Sequence, residues 1–290
     1  MKNATRRQVL SSVGFVAGTG LLTACGTQSQ GSAEQQRGDP EAQREQAQPE
    51  SDRWVYVQLD PAVVAKKAYD MFPQGGCMYA LTGSIIRTLG DMRGEPFRSF
   101  PFAMMRYGLG GAGGWGSLCG ALNGAAAIIG MFHQKETGLW LKRGEESQGA
   151  QLIGEVFSWY ERTRLPRYQP TGAARPAEMP SSVAESVLCH VSLSNWSEVS
   201  GHKPIGPQRM ERCRRLTADV AIKTVELLNR ELVQSSGRSP AQPRTHAGLA
   251  PEVRSCISCH GRTQRRDAFG KMSCTNCHTF SRKHPETPEE

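Results

Sequence analysis

No stretch of the 290-residue sequence sustains the roughly 18 consecutive apolar residues that cross a bilayer, which excludes a multi-pass membrane protein. Neither a collagen glycine period nor a sustained coiled-coil repeat is present, and 38% hydrophobic residues is too many for a wholly disordered chain. The length suits one large or two small domains with a real core. Positive charge is only in mild excess, 35 Lys+Arg against 27 Asp+Glu, a balance of +8 that does not argue for a nucleic-acid partner. Nine cysteines are too few for a miniature disulfide scaffold of this length, and they are unevenly placed.

The first 24 residues contain no acid but carry Lys2, Arg6 and Arg7, followed by a weakly apolar stretch from Val9 to Ala24. A basic head before a short apolar segment is the layout of an export signal. Thr5-Arg6-Arg7-Gln8-Val9-Leu10 resembles a twin-arginine signal, and Leu22-Thr23-Ala24-Cys25 resembles a lipobox with Cys25 as the lipidated mature N-terminus. The plainer alternative is an ordinary secretory signal with an incidental Cys25. Loss of residues 1–24 takes the charge from +8 to +5. An acylated Cys25 would hold the protein at a membrane surface on the periplasmic side without spanning it. Residues 25–53 follow as a Gln-, Glu-, Ser- and Arg-rich flexible tether with almost nothing to bury.

The C-terminal segment, 236–290, holds Cys256-Ile257-Ser258-Cys259-His260 and Cys274-Thr275-Asn276-Cys277-His278. Both are C-x-x-C-H, the attachment pattern of c-type haem. Two thiols one turn apart can add across the two vinyl groups of a porphyrin, and the next imidazole then binds the iron from below. Chance predicts about 0.007 copies in a chain of this composition, so two within 23 residues are not accidental. The same cysteines also read as C-x2-C-x14-C-x2-C, close to a zinc ribbon. Zinc, however, needs no histidine after each pair, and an exported chain passes through the compartment where haem is attached. Two haems c are therefore expected, with Cys256, Cys259, Cys274 and Cys277 as thioether positions and His260 and His278 as proximal ligands. The short spacing between motifs predicts porphyrins close enough for an electron relay. His246 and His284 are the candidate distal ligands. Met272 is too near Cys274 to reach across the same ring, and His133, at the end of an apolar stretch, reads as structural or capping.

The middle of the chain, 54–235, is mainly helical by periodicity. The pattern predicts a short helix from Pro61 to Phe72, and a second with Cys77, Ala80, Leu81 and Ile85 on one face. A third carries Cys119, Leu122, Ala126 and Ala127 on one face and ends near Phe132. Ser147 to Arg162 is amphipathic, and the longest helix runs from about Gln208 to Leu232 with Cys213, Leu216, Val220 and Leu227 on one stripe. Its cysteines, Cys77, Cys119, Cys189 and Cys213, are separated by 42, 70 and 24 residues. They can be inert core residues, form two disulfides in one of three connectivities, or furnish four thiolates to an iron–sulfur cluster such as [2Fe–2S]. Spacing does not choose among these. The export route favours the cluster: it is inserted before translocation, and a twin-arginine system moves folded proteins. Gly108-Leu109-Gly110-Gly111-Ala112-Gly113 matches G-x-G-x-x-G, but no Asp or Glu follows before Lys135, so dinucleotide binding is disfavoured. The glycines read better as backbone that must approach a helix, a cluster or a haem closely.

Gly76-Cys77, the stretch Gly116-Ser117-Leu118-Cys119-Gly120-Ala121-Leu122-Asn123-Gly124, and the lone Cys189 and Cys213 resemble a redox-active family defined by one Cys, a Gly/Cys/Ala-x-x-Gly stretch and two further Cys. With two C-x-x-C-H motifs added, residues 60–280 resemble the split-Soret cytochromes c. The resemblance implies a mainly α homodimer, with a helical domain and a C-terminal loop-rich dihaem segment. It also implies two bis-His haems per chain stacked at one end, a ligand donated by the partner chain, and an iron–sulfur centre on Cys77, Cys119, Cys189 and Cys213. The lipobox and long tether depart from that pattern.

Bis-His coordination fills both axial positions, which favours electron exchange with redox partner proteins over catalysis. The rival readings are a haem-dependent oxidoreductase with a five-coordinate haem or catalytic cluster, and a redox or gas sensor acting through residues 235–250. A zinc-ribbon-tailed lipoprotein is a lesser alternative.

Overall fold

The computed structural model describes residues 54–133, 147–171 and 178–235, together with 253, 255, 256 and 271–274. These lie within one unit of the chain, Gln48–Glu290. Helix makes up 67% of the described residues, so the protein is mainly α. No helix among them is long and apolar enough to cross a membrane.

Helix α1 (Pro61–Arg93) starts where the Asp60 carboxylate accepts the Ala62 N–H at 2.8 Å and Pro61 supplies a preset first-turn φ. The sequence pattern divides this region into two helices, and the 33-residue span is indeed two helical stretches that meet at a break at Gly76, where the backbone leaves helical geometry. Pro73 removes a backbone donor, and Gly76 takes φ +80°, a conformation that L side chains resist. A Cβ at Gly76 would also collide with Leu109. Beyond the kink, Cys77 is 6% exposed and Leu81, Ile85, Ile86 and Leu89 are fully buried.

Two 3₁₀ segments, Phe97–Ser99 and Phe102–Gly108, lead into a glycine-rich loop and then helix α2 (Gly120–Phe132). The buried stripe of α2 is Ala121, Leu122, Ala125, Ile128 and Ile129. It differs from the expected one: Ala126 and Ala127 are half-buried, and Cys119 caps the helix instead of lying on its face, so helical phase does not place it. Helix α3 (Gln148–Arg162) is capped by Ser147, whose Oγ accepts the Ala150 N–H at 3.1 Å. A two-residue ladder joins β1 (Arg164–Leu165) antiparallel to β2 (Ser182–Val183).

Helix α4 (Cys189–Ser200) is an element that the periodicity did not reveal, ended by Gly201 in the left-handed region. Only Ser192 and Trp196 are buried along it, too sparse a stripe to read from sequence. Helix α5 (Pro207–Ser235) packs along α1 and buries the expected Cys213, Leu216, Val220 and Leu227. Near its far end, Asn229 accepts the Tyr56 hydroxyl at 2.8 Å and donates to the Leu59 carbonyl at 2.8 Å, fastening the segment before α1.

Candidate metal centre

The four cysteines of the helical body come from four elements. Cys77 follows the Gly76 kink, Cys119 caps α2, Cys189 opens α4, and Cys213 lies in the second turn of α5. The 70-residue gap between Cys119 and Cys189 is closed by backbone pairing. Leu118 forms an antiparallel bridge with Leu188, Cys119 N–H donates to Val187 O at 2.9 Å, and Cys189 N–H donates to Ser117 O at 2.7 Å. Gly116, at φ +72°, leaves room for the His190 side chain, whose Cβ would be 3.0 Å from a Cβ at Gly116. A Cβ at Gly120 would meet the Gly108 carbonyl and, at 3.1 Å, the Cβ of Cys77. The glycine-rich segment thus does what close approach requires: it lets α2 and the kinked part of α1 come together at the thiols.

Cys77, Cys119 and Cys213 are buried and Cys189 is half-buried. All four act on one another electrostatically. The hydrogen bond to Cys213, then burial, pushes Cys77 well above the usual thiol range, and Cys119 and Cys189 add to it. Burial raises Cys119, and it pushes Cys189 up to about 12 with help from Cys119 and Cys213. Cys213 is the exception and is lowered. The hydrogen bond that it accepts from Cys77 lowers it most; burial opposes this, and the Arg212 and Arg209 charges add to the lowering. Two helix N-termini carry Cys119 (α2) and Cys189 (α4), and the positive end of each helix dipole favours sulfur in anionic form.

A chain of buried polar groups links two of the thiols. Arg212 Nη1 donates to Cys213 Sγ at 3.8 Å, and Nη2 donates to Ser192 Oγ at 2.7 Å. The Tyr160 hydroxyl donates to Ser192 Oγ at 2.8 Å and also lies within hydrogen-bonding reach of Cys119. Burial opposes the Arg212 charge, yet Cys213, Tyr160 and Cys119 hold its pKa above the ordinary value. Sequence reasoning missed Arg209, Arg212, Tyr160 and Ser192. The available signal was the i, i+3, i+4 placement of Arg209, Arg212 and Cys213, which sets two cations beside a thiol on one helix face.

Four sulfurs in a pocket edged by guanidinium groups suit the four-thiolate requirement of an iron–sulfur cluster. The Nε atoms of Arg209 and Arg212 are buried without a partner among the described residues, and they are donors suited to an anionic occupant. No three His, Cys, Asp or Glu side chains among the described residues converge to hold a single ion.

Of the tail residues, Cys256 and Cys274 are described. Both are half-buried; burial and the Cys256 thiol beside it raise Cys274. The leading cysteines of the two C-x-x-C-H motifs are therefore neighbours. Cys25, His246, Cys259, His260, Cys277, His278 and His284 lie outside the described residues, as do most of the tether and tail.

Residues 82–227 match the family model described as "Putative redox-active protein (C_GCAxxG_C_C)". The chain is 36% identical over 250 residues to the split-Soret cytochrome c of Desulfovibrio desulfuricans, covering 81% of this chain and 84% of the relative. It belongs to the split-Soret cytochrome c family. A solved structure of that family, described as a novel iron centre in the split-Soret cytochrome c from Desulfovibrio desulfuricans, superposes with a TM-score of 0.66 at 34% identity. That superposition covers 79% of this chain and 91% of the other. Against the family model's description, this chain runs Cys119-Gly120-Ala121-Leu122-Asn123-Gly124, with cysteine preceding glycine, and Cys77 falls before the first matched residue.

Proposed function

We propose that this chain is an exported dihaem c-type cytochrome that transfers electrons and also carries an iron–sulfur centre. In this reading residues 1–24 are removed, Cys25 is lipidated, and residues 25–53 tether the helical body to a membrane surface facing the periplasm. Cys256 and Cys259 hold one haem with His260 as proximal ligand; Cys274 and Cys277 hold the other with His278. His246 and His284 are the distal candidates. Cys77, Cys119, Cys189 and Cys213 hold the iron–sulfur centre, and two chains form a homodimer that meets redox partner proteins.

The observation that carries the reading is the gathering of four distant cysteines around a buried guanidinium, in a chain that also has two haem-attachment motifs. The iron centre reported for the solved relative supports it. Bound haem and cluster would supply one-electron carriers. The chain's part is to hold them near one another, to fill both axial positions of each iron, and to keep the buried thiols from water. The Cys256 thiol beside Cys274 supports two attachment sites held close together, as a relay requires.

Iron, acid-labile sulfide and haem analysis of the purified exported protein tests this. The expected result is two haems that resist acid-acetone extraction, low-spin bands unchanged by carbon monoxide, and non-haem iron with matching sulfide. Extractable pigment overturns the haem assignment, and iron equal to the haem content overturns the cluster. Intact mass tests the anchor through a lipid increment at Cys25.

A further inference from the structure

Helix α5 contains two arginines that are almost wholly buried, and they are treated in opposite ways. Arg215, 1% exposed, donates to the Glu211 carboxylate at 2.9 Å and to Gln169 Oε1 at 2.9 Å. Its charge is matched by a carboxylate one turn away. Arg212, 2% exposed, pairs with no described carboxylate. Its neighbours are the Cys213 sulfur, the Ser192 hydroxyl and carbonyl, and the Tyr160 hydroxyl behind them. Its Nε is buried with no partner among the described residues. Arg209, one turn before Cys213 and half-buried, repeats the pattern with its own buried, unpartnered Nε.

A guanidinium cannot escape burial by losing its proton, so a buried one must be matched by negative charge. Neutral hydroxyls and carbonyls solvate it but do not cancel it. The groups facing Arg212 that can become negative are the Cys213 and Cys119 sulfurs and the Tyr160 phenol; burial holds Tyr160 well above its ordinary range, and Cys213 Sγ lies 3.8 Å from the guanidinium. Arg212 is therefore stabilised by each unit of negative charge that the four-cysteine centre gains.

We propose that Arg212, assisted by Arg209, is the fixed positive charge that sets the reduction potential of the four-cysteine centre. The inference rests on the iron–sulfur reading above. One electron arriving from a reductant such as dithionite makes the centre one unit more negative; no bond is made or broken. The counter-charge is permanent and already in place, so reduction needs no accompanying proton. Arg212 acts as a positioning residue for charge and is not itself oxidised or reduced. Ser192 and Tyr160 hold its guanidinium against Cys213.

The test is a redox titration of the loaded full-length protein followed by electron paramagnetic resonance of the cluster. Haem absorbance is read in parallel as an internal control. Arg212→Gln is expected to make the centre harder to reduce by about tenfold, a fall of about 59 mV for one electron. Haem potentials stay at wild-type values. Arg212→Lys, which keeps the charge, and Tyr160→Phe, which keeps the guanidinium, should each stay within about threefold of wild type, under half of that shift. Arg209→Gln should shift the centre in the same direction by a smaller amount, and it serves as the deciding variant if Arg212→Gln does not load. A loaded Arg212→Gln centre that titrates with wild type overturns the inference, as does an Arg212→Lys shift equal to that of Arg212→Gln. If Arg212→Gln does not load, an unmoved Arg209→Gln centre overturns it. Wild-type protein without acid-labile sulfide removes the iron–sulfur reading and this inference together; a loaded but insensitive centre removes this inference alone.

Discussion

The two ends of helix α5 are built for different purposes. Its first two turns bring Arg209, Arg212 and Cys213 to the thiols, where, among the described residues, a buried charge lacks a carboxylate and polar Nε atoms lack partners. Its second half is ordinary core. Val220, Val225, Leu227 and Leu228 are buried against the rest of the bundle, Asn229 fastens Tyr56 and Leu59, and Arg230 closes a bidentate pair on Glu155. One continuous helix thus lets a well-packed half hold an unfavourable half in place. Local strain and charge at functional positions persist when surrounding packing over-determines them.

The comparison breaks most sharply at Cys213. Cys213→Ser is expected to abolish non-haem iron and sulfide while leaving covalent haem at wild-type content, measured by iron and haem analysis of the same preparation. Loss of haem in parallel would show that the two regions mature as one.

At the packed end, Leu227 is 1% exposed, and Leu227→Ala should cost about 2–5 kcal/mol in denaturant unfolding. Its cluster content and potential should stay at wild-type values. A change in potential would mean that the two halves are not separable.

Between the halves sits Asp219, whose carboxyl is raised by burial to about 6 although it accepts the Arg167 N–H at 2.8 Å. Its native pKa exceeds the value of 3.8 expected when unfolded. The native state therefore holds the proton more tightly. The stability contributed is complete below about pH 4 and lost as pH rises through about 6, an effect of about 3 kcal/mol. Asp219→Asn should lack this component, so its stability relative to wild type rises between pH 4 and 7 in urea titrations. A pH-independent difference would place the proton elsewhere.

The smallest effect belongs to Arg230 and Glu155, an ion pair at 2.7 Å with both side chains about two-fifths exposed. Arg230→Gln should cost less than about 1 kcal/mol, and less still at high salt.

How much of this was legible depends on how each feature is encoded. The α5 stripe and the amphipathic run from Ser147 to Arg162 were readable, because helical periodicity is local. Cys119 was misplaced onto a helical face, since a capping residue leaves no periodic trace. Helix α4 was missed because it buries only Ser192 and Trp196. Arg212 looked like one basic residue among several, and nothing in a linear sequence says which arginine has a carboxylate partner and which does not.

From sequence alone came the helical class, the pair of C-x-x-C-H motifs and the family resemblance. These depend on residues close together in the chain, where spacing and chemistry are the same statement. Only the tertiary structure could bring Cys77, Cys119, Cys189 and Cys213 to one pocket, through a kink at Gly76 and a bridge between Leu118 and Leu188. It alone set Arg212 against them. Burial and counter-charge are properties of what surrounds a group in space, and the chain order of those surroundings does not record them.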